Sequence, residues 1–117
     1  MGLDLTNANE IGGNDPEFIR ELLTVYVKRF PEYHSALVVA IKDQDLKEMA
    51  SRIHRVKSAV SVLGFKKFCS ELKIAEDYCL SPEANLVKAI SLSNNMLATF
   101  EASLAEVEQY LKTGSAS

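Results

Sequence analysis

The feature that most constrains this chain is the spacing of its apolar residues, which recur in steps of three and four. Leu86, Ile90, Ser93, Leu97, Phe100, Leu104, Val107 and Leu111 make a heptad-like seam suited to packing against other helices. Ser93-Asn94-Asn95 is its weakest stretch. Leu46, Met49, Ala50, Ile53, Val56, Val60 and Leu63 mark one face of an earlier helix, and Phe65, Phe68, Leu72, Ala75 and Cys79 one face of the next. Ile19, Leu22, Leu23, Tyr26, Val27 and Phe30 do the same near the start, followed by Leu37, Ala40 and Ile41. No period-two alternation bounded by turns occurs, so no sheet is expected. The chain has no internal repeat and no low-complexity block.

Three prolines and five glycines punctuate this pattern. Gly12 and Gly13 follow a short polar lead-in, and Asp15 then reads as an N-cap with Pro16 in the first turn. Pro31 is expected to end or kink the helix that follows, because proline offers no amide hydrogen and clashes with the preceding turn. A second helix is read from Pro31 to Lys42. Asp43-Gln44-Asp45 is a turn, and Asp45 with Glu48 resembles a capping box. Gly64 suits the end of the helix that Asp45 opens, since glycine takes the left-handed conformation cheaply. Ser81-Pro82-Glu83 reads as the cap and first turn of the last helix. The expected architecture is all-α: an antiparallel bundle with a four-helix core and a short N-terminal helix, joined by short loops. Residues 1–112 read as one domain and 113–117 as a frayed or appended tail.

A chain of 117 residues can bury a core without metal or disulfide staples. Its 47% hydrophobic and 25% charged residues place it with globular rather than disordered chains. The longest apolar stretches, 36–41 and 58–65, are too short to cross a bilayer. Met1-Gly2-Leu3-Asp4 shows neither the basic nor the long apolar region of a secretory signal, so a cytoplasmic location without membrane insertion is expected. Cys69 and Cys79 have no metal-ligand spacing and are expected to be buried, reduced thiols. A di-metal carboxylate bundle needs a glutamate three residues before a histidine, and neither His34 nor His54 has one. No nucleophile elbow is present.

The net charge is −3, but its distribution is uneven. Between Lys47 and Lys67 lie six cations (Lys47, Arg52, Arg55, Lys57, Lys66, Lys67) and one acid, Glu48, so this segment carries +5 and the rest −8. Such an island points to a surface that meets an anion or an acidic partner. Nucleic acid is not expected there, because stacking aromatics are not interleaved with the charges.

His54 lies in this island. At about 100° per residue it falls roughly 120° from the centre of the apolar face, so it points outward or to the flank. Ser58 lies one turn further on, Ser61 extends the same strip, and Lys57 sits between the strip and the core boundary. An exposed neutral imidazole can act as a nucleophile near pH 7. Small neighbours let another protein approach, and a lysine one turn away can bind phosphoryl oxygens. His34, just after Pro31, reads as structural or merely exposed.

The stretch Ile53-His54-Arg55-Val56-Lys57-Ser58-Ala59-Val60-Ser61-Val62-Leu63-Gly64-Phe65 resembles the signature of histidine-containing phosphotransfer (HPt) domains. His54, Val56, Lys57, Ser58 and Gly64 match it in order, with the glycine ten positions after the histidine. Gly13 to Ile19 upstream, Asp45-Leu46, and Phe68, Cys69, Leu72 and Glu76 downstream also fit the family. Ser58 departs from the glycine most common after the lysine and leaves less room beside the ring.

The resemblance implies a helical bundle that takes a phosphoryl group from a phospho-aspartate on one receiver domain and passes it to another. His54 would be the phosphoacceptor and Lys57 would steady the phosphoryl oxygens. Ser58 and Gly64 would permit close approach, Ser61 would offer a polar contact, and Lys47 and Arg55 would assist docking. The receiver would supply the aspartate and magnesium, and the bundle, expected to be a monomer, would need no cofactor or metal of its own. With no ATP-binding segment the chain is not a kinase by itself, whether it stands free or within a hybrid sensor kinase. The alternative is an HPt-fold docking or adaptor module that no longer transfers phosphate. The presence of both His54 and Lys57 favours the carrier.

Overall fold

The computed structural model describes residues 2–114. Helices α1 (Thr6–Ile11), α2 (Pro16–Lys42), α3 (Leu46–Ser61), α4 (Lys66–Leu80) and α5 (Leu86–Thr113) follow in order. Of the tail read from 113 onward, Thr113 closes α5 and Gly114 is its left-handed cap. Residues 115–117 lie outside the described residues.

Two helix starts follow the expected cap chemistry. Asp15 accepts the Glu17 amide hydrogen ahead of Pro16, and Asp45 accepts that of Glu48. The start of α5 does not. Ser81 accepts the Glu83 amide hydrogen at 3.0 Å, but this closes only a local turn. The true cap is Asn85, four residues later, whose side chain accepts from Lys88 N at 3.2 Å.

Pro31 does not end a helix. α2 runs through it for 27 residues. An interior proline costs about 3 kcal/mol in an isolated helix. Here Leu23 and Tyr26 before it, and Leu37 and Ala40 after it, bury one continuous apolar face. Pro31 itself is on the exposed side, where water can replace the lost helical bond. The polar lead-in, conversely, forms α1, pinned by the buried Ala8. A short N-terminal helix is thus present, while the two helices expected either side of Pro31 are one.

α5 is also unbroken at Ser93-Asn94-Asn95. Ser93 is fully buried and donates to Met49 Sδ of α3 at 3.5 Å, while both asparagines face solvent. The small serine holds its place in the seam because α3 comes close to it.

Helices α2, α3, α4 and α5 pack as a closed ring around Phe65, Phe68 and Phe100, with Leu23, Leu37, Met49, Ile53 and Leu72. Tyr26 of α2 donates to Ser103 Oγ, which donates to Phe100 O at 2.6 Å, so the buried hydroxyls are satisfied. His34 is structural. Its Nε2 lies 2.7 Å from Glu101 Oε2, and its ring packs on Phe30. The N-terminal segment crosses the end of α3, where Asp4 N donates to Leu63 O at 2.9 Å and Leu3 N to Glu106 Oε1 at 3.0 Å. Among the described residues no helix is long and apolar enough to cross a membrane.

Gly64 sits under that segment with φ +92°, and a Cβ there would strike the Asp4 carbonyl oxygen. Gly64→Ala is expected to cost about 1–3 kcal/mol in urea unfolding. Gly114→Ala, with a similar backbone sign but open surroundings, should cost less. Equal losses would remove the Asp4 contact as the cause.

Burial pushes the Tyr26 hydroxyl well above its ordinary pKa, outweighing its bond to Ser103. The folded state therefore holds that proton more tightly than the unfolded chain. Its stability contribution is fully present below pH of about 10 and falls as pH rises further. Tyr26→Phe is expected to make the alkaline fall in Tm shallower, and an unchanged slope would contradict this.

Candidate functional site

His54 projects from the third turn of α3 toward α4, with 56% of its side chain exposed. Its Nδ1 lies 3.0 Å from Glu76 Oε2 and 3.2 Å from Oε1. Glu76 follows the buried Ala75 of α4 and stands at the edge of the core, only 16% exposed. A carboxylate only accepts, so in the neutral ring Nδ1 carries the hydrogen and Nε2 keeps the lone pair.

Lys57 reaches the same carboxylate. Its Nζ donates to Glu76 Oε1 at 3.2 Å, and its side chain is 25% exposed. An ammonium has three donors, so this bond leaves two for an anion beside the ring. The ion pair also offsets the cost of burying most of the glutamate. An exposed imidazole and a nearby cation thus share one anchoring carboxylate.

The other site residues expected from the sequence are arranged more loosely. Ser58 is exposed, but its Oγ donates to the His54 carbonyl at 3.2 Å, so the hydroxyl folds back on its own helix. Ser61 Oγ likewise donates to Ser58 O at 3.1 Å and lies two turns along the strip from His54. Gly64 is half-buried, and the neighbour admitted by its missing Cβ is Asp4 of the same chain. Lys47 is exposed at the start of α3. Arg55 is exposed on the opposite flank, where it lines a small recess with Glu32, Tyr33, Ala36 and Arg52.

The basic island is partly neutralised. Arg52 pairs with Glu48 at 3.1 Å and Lys57 with Glu76. Lys47, Arg55 and Lys67 make no ion pair among the described residues. Cys79 is buried, but Cys69 is only half-buried beside Ser61 and Gly64, against the expectation for it. It sits on the α4 flank rather than the core stripe. Burial raises its pKa, and Lys57 pulls in the other direction.

Glu76 is the functional residue that the sequence reading did not assign a role. No spacing rule picks it out: the residue of α4 that stands as far from the turn as His54 is Lys73, so the pairing depends on how the two helices pack.

The family model for the Hpt domain matches residues 21–110, most of the chain and all of the site. The chain therefore belongs to the Hpt domain family, whose members are phosphotransfer modules of two-component signalling. They are phosphocarriers rather than catalysts and interact with receiver domains in phosphorelays. Neither the comparison with curated proteins nor that with solved structures returns a match.

Glu76→Ala should release the ring. In the wild type, nitrogen NMR of neutral His54 is expected to show hydrogen on Nδ1. The variant should show the two tautomers mixed. A wild-type ring protonated on Nε2 would overturn the assignment. Phosphate uptake by the variant is expected to slow about tenfold or more, equivalent to about 1.4 kcal/mol.

Proposed function

We propose that this chain is a phosphocarrier in a multistep relay, with Nε2 of His54 as the phosphoacceptor. The observation that carries this reading is the Nδ1 contact with Glu76, which leaves Nε2 as an exposed lone pair beside Lys57.

The chemistry needs no proton transfer at the ring. The Nε2 lone pair attacks the phosphorus of an aspartyl phosphate on a receiver domain. A P–N bond forms as the P–O bond to the aspartyl group breaks, and the electron pair leaves on the aspartate carboxylate. The ring becomes a phosphoimidazolium that still holds its Nδ1 hydrogen on Glu76. That hydrogen bond strengthens as the ring gains charge, so it favours the phosphorylated ring more than the free one. Lys57 turns its remaining donors to the phosphoryl oxygens. A second receiver reverses the step: its aspartate attacks, the P–N bond breaks, and the original tautomer returns.

Magnesium belongs to the receiver in this scheme, and the bundle uses no cofactor. Lys47 and Arg55 speed encounter with an acidic receiver face. Ser58 and Ser61 keep the approach low, with Ser58 narrower than a glycine would be. We place the chain in the cytoplasm as a monomeric single domain, free-standing or part of a hybrid kinase.

The test is incubation with phosphorylated receivers and magnesium, wild type beside His54→Gln. Label that is acid-labile and base-stable in the wild type, and absent from a folded His54→Gln, is the expected result. The exposed position of His54 means that the variant should keep its helical circular dichroism. Equal label in both proteins would remove His54 from the scheme. Binding without label from any receiver would identify a non-transferring adaptor instead.

A further inference from the structure

On the opposite flank of α3 from Glu76, a cleft of about 140 Å³ opens between α2 and α3. Tyr26, Phe30, Tyr33 and Phe100 supply four aromatic rings to its lining, and Leu63 and Phe100 are almost fully buried there. Phe30 and Phe100 lie 4.4 Å apart between centroids, and Tyr26 meets Phe100 edge-on at 6.1 Å. An apolar cavity of this size holds a single six-membered ring. Aromatic walls favour a flat aromatic guest through edge and offset contacts. The volume is too small for a peptide helix.

Arg29 also lines the cleft and makes no hydrogen bond or ion pair among the described residues. Tyr33 is likewise without one. No acidic side chain lines the cleft. An apolar pocket with one or two converging polar groups is the usual form of a small-molecule site. A guanidinium presents paired donors that match a carboxylate in its plane.

We propose that this cleft binds a small aryl carboxylate, its ring among Tyr26, Phe30, Tyr33 and Phe100 and its carboxylate on Arg29. The site is separate from the phosphotransfer chemistry. None of its lining residues is His54, Lys57 or Glu76, although Ala59 belongs to the same helix. It therefore stands or falls independently of the proposed function.

The probe is phenylacetate, followed by saturation of methyl NMR shifts at Ala59 and Val62, with 2-phenylethanol as the uncharged match. Phenylacetate is expected to bind at least about tenfold tighter than the alcohol. Arg29→Met keeps the apolar stem and should abolish that preference while leaving the alcohol unchanged. Ala59→Leu, at a half-exposed position, should fill the cleft and weaken both ligands by about tenfold or more. Equal affinity for acid and alcohol would overturn the proposal, as would a preference that survives Arg29→Met. Shifts that do not saturate at tens of millimolar, or that persist in a folded Ala59→Leu, would overturn it as well.

Discussion

Burying most of a carboxylate on the flank of a helical bundle is costly unless donors meet it. Glu76 is that carboxylate, and the candidate site is built from its two partners. Lys57 supplies the charge that lets Glu76 remain at the core edge. His54 supplies a neutral donor and is oriented in return. Remove the glutamate, and Lys57 loses its anchor while the ring loses both its direction and its tautomer. The imidazole is more exposed than either partner, so the ordered part of the site is the carboxylate–ammonium pair and the reactive part rides on it.

That arrangement depends on the register of α3 against α4. A shift of one residue along α4 would bring Ala75 or Asp77 to His54, the first without a carboxylate and the second on the solvent side. The loop between the helices sets the register. Leu63 and Phe65 are both buried, so the turn is pinned at each end of Gly64. The left-handed backbone of Gly64 reverses the chain, and Asp4 closes over it with a backbone hydrogen bond to Leu63. The N-terminal segment, tied also to Glu106 of α5, therefore supports the α3–α4 hairpin from a distance.

Much of this was legible in the sequence where the controlling physics is local. Asp15 and Asp45 cap their helices because a short acid beside a first turn meets free amides whatever surrounds it. The outward direction of His54 follows from helical spacing alone. Elsewhere tertiary packing overruled the local rule. Pro31 lacks a donor in any setting, yet the buried residues on both sides of it hold one continuous helix. Ser81-Pro82 has better cap composition than Asn85, but its turn closes on itself. Glu76 was hidden for a different reason: its role depends on a residue 22 positions away, which only the pairing of two helices reveals.

The helix that carries His54 is used on three sides. Ile53, Val56 and Val60 hold it in the core. The α4 flank carries the candidate site, which is charged and has an exposed imidazole. The α2 flank holds a recessed, largely apolar cleft that Arg29 of the facing helix also lines. These surfaces make opposite demands on the backbone. A phosphoacceptor needs a fixed ring on an immobile helix, since its partners must find the same geometry each time. A cleft between α2 and α3 leaves a gap where packing could have stiffened that helix. The α3–α4 side compensates with its buried turn and shared carboxylate, so the stiffness at His54 comes from the flank that carries the candidate site.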